Sequence, residues 1–180
     1  MTVHMNPWQE VGPGSASGGG ISNTTTHSTN PETAIAPDGT PYVVWDNFEG
    51  YPSTDHRIYI RRWNGAAWQE VGNDSAGGGG LSQGFGSAFT PAITPGGTPY
   101  VAWYQAFGGS GIADIYVRRW NGSHWEEAGL GSASGMGISG TTAARDPSLA
   151  VSIDGTVYAA WRDHNFDGSF PEIYVRQYYE

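Results

Sequence analysis

Short runs of apolar and aromatic residues, separated by tight-turn pairs, organise the whole chain. A run such as Ile58–Trp63 is rich in β-branched and aromatic side chains, which favour strands, and no 3.6-residue periodicity competes with it. Asp-Gly, Gly-Gly and Asn-Gly pairs lie between the runs, and they favour hairpin turns because the central residues of such turns need a positive φ. The pattern predicts an all-β chain of short antiparallel strands.

The same pattern returns along the chain at a fixed interval. Tyr42–Trp45 is matched by Tyr100–Trp103 and again by Tyr158–Trp161, each 58 residues further on. A second repeated segment follows each of these, as Ile58–Trp68, Ile115–Trp125 and an incomplete copy that starts at Ile173. A fixed period of this kind is typical of solenoids, propellers and other repeat arrays.

Each repeat unit is predicted to contain four strands. The apolar residues of the second strand fall on both faces, so both faces should be covered by other parts of the molecule. Repeated four-stranded antiparallel units with both faces covered describe the blades of a β-propeller. The predicted first strands are Thr33–Pro37, Pro91–Pro95 and Pro147–Ile153; the second begin at Tyr42, Tyr100 and Tyr158; the third at Ile58, Ile115 and Ile173; the fourth at Trp68 and Trp125.

The phase of the repeat predicts how the blades close. The chain opens with a lone fourth strand at Trp8–Gly12 and ends after a third strand at Ile173–Tyr178, which gives twelve strands in three blades at about 31–72, 89–129 and 146–180. Propellers typically have four to eight blades. We therefore expect a homodimer that forms one six-bladed ring, in which the N-terminal strand of each chain completes the third blade of the other. The alternative is a monomeric fragment of a longer chain.

The segments outside the strands add little to the domain organisation. Residues 6–180 are expected to form one three-blade unit, and residues 1–5, with His4-Met5, are expected to be a cloning remnant. The Gly/Ser-rich stretches after each fourth strand recur in register and carry Ile21, Leu81 and Ile138 at the same place. We therefore predict ordered loops between consecutive blades and no domain boundary inside the chain.

Composition excludes several classes of partner. The net charge of −9 and the pI near 4.8 argue against nucleic acid and anionic membranes. The chain has no cysteine, so it has no disulfide, thiol nucleophile or Cys-zinc site. No apolar run approaches the ~20 residues of a membrane helix. No signal peptide is recognised. The absence of cysteine does not determine the cellular compartment, and a secreted or cell-surface bacterial protein is compatible with it.

Catalytic and metal-binding signatures are weak. The histidines fall at unrelated repeat positions, and none has a partner at metal-ligand spacing, so no metal and no cofactor is predicted. No G-x-S-x-G signature occurs either. A hydrolase could use the carboxylates of Asp46, Asp114, Asp163 and Glu172. Asp46 and Asp163 are taken as equivalent positions of the repeat, and the middle copy has Tyr104 there. Solvated acidic loops on an acidic protein are the favoured explanation of these residues, so the prediction is that the protein is not an enzyme.

The most specific candidate for binding is an arginine with an aromatic residue on each third strand. By strand alternation the two side chains of each pair share one face. An aromatic ring can stack on the C–H faces of a sugar while a guanidinium bonds its hydroxyls. The structural alternative is an arginine stacked on tryptophan between blades. The predicted ligand-binding pairs are Arg61 with Trp63, Arg118 with Trp120, and Arg176 with Tyr178.

The turn Trp63-Asn-Gly-Ala-Ala-Trp68, followed by a Gly-rich loop, a short apolar strand and Tyr-Val-Ala-Trp, resembles the blades of bacterial propeller lectins of the fucose-binding family. The resemblance covers all three blades and implies sugar sites between adjacent blades, with rings that can assemble from several short chains. The period here is longer, and no complete sugar-binding set aligns. The leading hypothesis is a multivalent, non-catalytic carbohydrate-binding module. The alternatives are a structural scaffold, natural or designed, without a ligand, and a glycoside-hydrolase-like propeller.

Overall fold

Strands alone make up the regular structure of the computed structural model, which describes residues 8–48, 56–82, 85–106, 112–164 and 170–179. No helix in these ranges is long and apolar enough to cross a bilayer. The strands of the described residues are β1 (His27–Ile35), β2 (Pro41–Phe48), β3 (Arg57–Trp63), β4 (Trp68–Glu70), β5 (Gly86–Ile93), β6 (Pro99–Ala106), β7 (Ala113–Trp120), β8 (Trp125–Glu127), β9 (Ala144–Val151), β10 (Val157–Asp163) and β11 (Glu172–Tyr178).

The strands form three antiparallel sheets, one for each sequence repeat. The orders are β1-β2-β3-β4, β5-β6-β7-β8 and β9-β10-β11, so each sheet follows the chain order. The cross-strand register repeats as well, since Trp45 pairs with Tyr59 and Trp103 with Tyr116 at matching positions. The predicted all-β fold with propeller-like blades is confirmed. The third sheet has three strands.

The core lies between the faces of consecutive blades. Val44 and Ile60 of the first blade pack with Val101, Trp103 and Tyr116 of the second in one buried cluster. Two further clusters join the second blade to the third. The middle blade is therefore covered on both faces, as the apolar pattern of its second strand predicts.

The outer face of the third blade is open in a single chain. On β11 the apolar side chains of Ile173 and Val175 are 76% and 65% exposed, although their equivalents in the middle blade, Ile115 and Val117, are buried. The difference follows from the neighbours, because the third blade has no fourth strand and no following blade within the described chain. Apolar sheet faces and strand edges of this kind are normally covered in soluble proteins.

The first strand of each blade is longer than the sequence suggested. β1 begins at His27, six residues before the predicted start at Thr33, and the ladder continues through a register shift between Thr29 and Glu32. A residue with positive φ marks the shift in every blade, at Asn30, Ala88 and Asp146. The apolar pattern misses these strand starts because a β-bulge changes which face each side chain meets.

The N-terminal segment departs from the predicted twelve strands. Residues 8–12 do not form a strand, so the described chain has eleven. By the repeat their ladder partner would be the third strand of a preceding blade, and no described strand of this chain pairs with them. They lie beside the first blade. A Cβ built at Gly12 would lie 1.9 Å from the Cη2 atom of Trp63. The predicted remnant at residues 1–5 falls outside the described residues.

Candidate functional site

Arg61 links the third strand of the first blade to the N-terminal loop. Its Nη1 atom donates a hydrogen bond of 2.6 Å to the carbonyl of Ile21, and its Cζ atom lies 6.0 Å from the centroid of the Trp45 ring. The guanidinium therefore contacts an aromatic face of its own blade and a loop that leads into that blade. Both contacts hold it at the edge of a cleft between the two loops that flank the first blade.

Trp63, the predicted partner of Arg61, lies in a different cleft. Its ring packs with Trp68 at a centroid distance of 5.8 Å and lines a hollow of about 350 Å³ near the hairpin turns, together with Arg62. Arg61 and Trp63 lie on the same face of the strand, as the alternation predicted, but their side chains line different clefts. The structure does not place Arg61 and Trp63 around one cavity.

Arg118 and Trp120 occupy the equivalent positions in the middle blade. Burial lowers the pKa of the Arg118 guanidinium, and Glu127, its cross-strand neighbour, acts in the opposite direction. The ring of Trp120 pairs with Trp125 at 6.0 Å and lies against Gly72 of the preceding blade. Trp120 is therefore part of the contact between the first two blades.

Arg176 and Tyr178 share a cavity. Both line a hollow of about 120 Å³ between the second and third blades, whose wall includes Tyr100. The rings of Tyr178 and Tyr100 are 6.4 Å apart. The combination of a guanidinium with two aromatic rings is the arrangement that the sequence predicts for sugar contact.

A polar cleft with a volume of about 490 Å³ lies over the first blade. Arg57 and the hydroxyl of Tyr59 both donate to the carbonyl of Gly78, the latter over 3.3 Å, and Thr26 donates to Asn47 over 2.7 Å. These bonds fix the walls. The described lining contains no carboxylate and consists of Ser22, Asn23, Thr24, Thr25, Thr26, Asn47, Phe48, Arg57, Tyr59, Arg61, Ala76, Gly77 and Gly78.

Sequence reasoning missed Arg57, although the repeat contains a signal for it. The residue just before the repeated isoleucine of the third strand is Arg57 in the first blade, Asp114 in the second and Glu172 in the third. The charge at this position therefore reverses between blades. Comparing the copies for differences, instead of for shared residues, would have identified it.

Asp46 forms a buried pair with a histidine at the same end of the first blade. Its carboxylate is 2.9 Å from Nδ1 of His56, whose ring stacks on Phe48 at 4.6 Å. Burial raises the pKa of Asp46, while the hydrogen bond and the charge interaction with His56 act to lower it. The side chain faces away from the cleft described above, because its register partner is Ile58 and not Arg57.

Two of the other three candidate carboxylates, Asp114 and Asp163, are held by loop donors, and the third, Glu172, is exposed at the start of β11. Asp114 accepts hydrogen bonds from the Ser139 hydroxyl at 2.8 Å and from the Thr142 amide at 3.0 Å. Asp163 accepts one from the hydroxyl of Thr141. Both side chains are buried, at 1% exposure each. In the described residues these groups anchor the loops that join the second and third blades.

The assumed equivalence of Asp46 and Asp163 is wrong. The ladder pairs Asp46 with Ile58 and pairs Arg162 with the equivalent Ile173, whereas Asp163 pairs with Glu172. Asp163 is therefore one position further along its strand and on the other face. Among the described residues no group of three or more histidine, cysteine or acidic side chains could hold a metal ion.

Comparison with known proteins supports the fold alone. No family model and no curated protein matches the sequence. An α-L-arabinofuranosidase from Fusarium graminearum matches with a TM-score of 0.58 and 14% identity, over 84% of this chain and 45% of that one. An α-L-arabinanase from Penicillium chrysogenum has a TM-score of 0.53 and 15% identity, over 84% and 46%. A fucose lectin from Kordia zhangzhouensis has a TM-score of 0.47 and 15% identity, over 82% and 92%. The chain spans about half the length of each of the two enzymes.

Proposed function

We propose that this protein is a non-catalytic carbohydrate-binding module that assembles from two chains into a six-bladed propeller. The observation that supports carbohydrate as the ligand is the composition of the cleft over the first blade. It combines neutral hydroxyl and amide groups, two guanidinium groups and the rings of Phe48 and Tyr59, without a described carboxylate. Sugars need such groups, since rings meet their C–H faces and polar side chains bond their hydroxyls.

The positions of three of the four candidate carboxylates support binding over hydrolysis. Glycoside hydrolysis requires two carboxylates on either side of one bond. Asp114 and Asp163 are buried and engaged by loop hydroxyl and amide groups, and Asp46 is paired with His56 on the face away from the cleft. Substituting Asp46 and Asp163 by asparagine is expected to leave sugar binding unchanged.

The α-L-arabinofuranosidase and the α-L-arabinanase with similar folds are consistent with a carbohydrate role. In this proposal Arg61 is the principal sugar contact of the first-blade cleft, and Arg176 with Tyr178 forms a smaller site between the second and third blades. Trp63, Arg118 and Trp120 act mainly in packing. Several weak sites on one ring would bind a branched or repeating glycan with high avidity.

Dimer closure is supported by the position of the N-terminal segment. Gly12 lies against Trp63 of the first blade, as Gly72 of the first blade lies against Trp120 of the second. The segment thus occupies the place of the fourth strand of a preceding blade, and a second copy of the chain would supply that blade through its open third sheet. The exposed faces of Ile173 and Val175 would then be buried.

Light scattering on a sizing column followed by a glycan array tests both parts of the proposal. A species of twice 19.2 kDa that binds oligosaccharides is the expected result. A species of 19.2 kDa would contradict the ring. Absence of sugar binding by a folded dimer would contradict the lectin function and leave the scaffold alternative.

A further inference from the structure

The three blades carry different charges at the residue just before the repeated isoleucine of the third strand. Arg57 of the first blade has the neutral Asn47 as its cross-strand neighbour. In the second blade Asp114 pairs with Gln105. In the third blade the acidic Glu172 lies opposite a second acid, Asp163. This position is therefore basic in the first blade and acidic in the other two.

The first-blade cleft also concentrates positive charge in an acidic protein. The chain has eight basic residues, all of them arginine, and a net charge of −9. Two of the eight, Arg57 and Arg61, line this single cleft. The register places Glu70 opposite Arg61, and a Cβ built at Gly77 would lie 3.3 Å from its Oε1 atom. This carboxylate is therefore directed to loop 76–78, which forms one wall of the cleft, but Glu70 is not among the described residues that line the cleft.

We propose that this cleft selects acidic sugars, namely those whose ring bears a carboxylate or a sulfate group. The inference rests on the proposed carbohydrate function and makes it specific. A guanidinium presents N–H donors in a fixed fork that matches a planar carboxylate or a sulfate edge, and such charge-assisted bonds are about twice as strong as neutral ones. The hydroxyls of Thr24 and Tyr59 are placed to bond the sugar around the charged group.

The site would occur once per chain, because only the first blade carries an arginine before the repeated isoleucine. In a six-bladed dimer the two acidic-sugar sites would be three blades apart, on opposite sides of the ring. That spacing suits a polymer in which acidic residues recur, since a second contact on the same chain raises the effective affinity.

The test is binding of the full chain to an array of acidic oligosaccharides, each beside its neutral counterpart. Suitable probes are oligogalacturonate and hyaluronan fragments with their carboxyl-reduced forms, and chondroitin sulfate fragments with their desulfated forms. We expect at least one acidic probe to bind, and its neutral counterpart to bind roughly ten- to a hundredfold more weakly. The pair that discriminates identifies carboxylate or sulfate as the recognised group.

Two outcomes would overturn the inference in different ways. If neutral sugars bind as well as acidic ones, the selectivity proposed here is wrong, while the carbohydrate function stands. If no sugar binds to the folded protein, the carbohydrate function itself is wrong and the inference falls with it.

A pair of arginine variants tests the assignment to this cleft. Arg57→Asp is expected to lower affinity for the acidic probe at least tenfold, whereas Arg62→Asp makes the same charge change at the exposed hairpin end and should have little effect. Arg57→Gln keeps a polar side chain and tests the same point if the aspartate variant does not fold. Equal loss in the Arg57 and Arg62 variants would mean that only the overall charge matters, and would contradict the site.

Discussion

Gly72 lies directly against the indole of Trp120, so that a Cβ atom at Gly72 would come within 2.3 Å of Cζ3 of that ring. Gly72 follows the fourth strand of one blade, and Trp120 ends the third strand of the next. The same contact recurs between Gly12 and Trp63 and, with more space, between Gly129 and Tyr178. A glycine thus sets the distance of closest approach between neighbouring blades.

Replacing Gly72 by alanine should destabilise the protein by about 3 kcal/mol, because the new methyl group overlaps the partly buried Trp120 ring and the backbone has a φ of 88°. The measurement is chemical denaturation at a fixed protein concentration. Gly97→Ala is the matched control, since its φ is 87° and nothing lies within 4 Å of a built Cβ. Gly97→Ala should lower the free energy of unfolding by only about 1–2 kcal/mol.

A double variant separates the contact with Trp120 from the backbone effect. Gly129 faces a tyrosine, and a Cβ there would lie 3.2 Å from the Tyr178 ring instead of overlapping it. Trp120→Tyr should therefore recover part of the loss caused by Gly72→Ala, with a coupling energy of about 1 kcal/mol or more. Strict additivity of the two substitutions would contradict the role of the ring.

The proposed strand exchange predicts the register of a covalent link between chains. The ladder pairs Arg62 with Gln69 and Arg119 with Glu126, so the repeat places Gln9 of one chain opposite Gln177 of the other. Directly opposed residues in an antiparallel ladder are at a Cα distance that a disulfide can span. Gln9→Cys combined with Gln177→Cys should give a disulfide-linked dimer on a non-reducing gel.

The control for this experiment uses the same register inside one blade. Arg62→Cys combined with Gln69→Cys should form a disulfide within a single chain, because β3 and β4 are already paired there. The protein has no native cysteine, so no other pairing interferes. A link within one chain between residues 9 and 177 would show that three blades close on themselves, and would contradict the six-bladed ring.

The bulge of the first strand predicts a stabilising substitution. Ala88 has a φ of 43°, a conformation that disfavours any residue with a Cβ. Ala88→Gly should raise the free energy of unfolding by up to about 1 kcal/mol. Ala92→Gly on the same strand, where the methyl group is buried, should lower it by about 1 kcal/mol. Calorimetric melting of both variants distinguishes the two effects, and a destabilised Ala88→Gly would contradict the interpretation.

Tyr116 should make stability depend on alkaline pH. Burial, with a smaller effect of Asp114, raises the pKa of its phenol to about 12 from 10.0, and the hydroxyl donates to the carbonyl of Gly135. Because the folded pKa is the higher one, the contribution is complete below about pH 10 and is lost as the pH rises toward 12. Tyr116→Phe should cost about 1 kcal/mol at pH 7 and flatten the decline between pH 10 and 12.

The measurement is the denaturant midpoint of the wild type and of Tyr116→Phe at several pH values between 10 and 12, and the quantity compared is the difference between the two midpoints. The difference should shrink as the pH approaches 12. A constant difference would mean that the phenol of Tyr116 does not carry the alkaline dependence.

Much of the fold was predictable from local pattern. Runs such as Ile58–Trp63 and the turn residues between them determine strands and hairpins from short-range preferences, and the 58-residue spacing shows that the same unit is used three times. The bulges at Asn30, Ala88 and Asp146 were not predicted, because a bulge shifts the alternation of faces and its own residues have no common side chain.

The candidate site was predicted only in part. Arg61 was identified because it recurs, and the cleft it lines depends on loops 22–26 and 76–78, which are distant in sequence and polar without periodicity. Arg57 was missed because it interrupts the repeat.

The sequence by itself determined the strands, the blades and the set of repeated arginine and aromatic residues, since these depend on preferences that act over a few residues. Only the tertiary structure decided that Arg61 and Trp63 line different clefts, that Asp46 and Asp163 are not equivalent, and that Gly72 meets Trp120. Those relationships depend on ladder register and on the packing of one blade against the next, and a shift of one residue reverses the face that a side chain occupies.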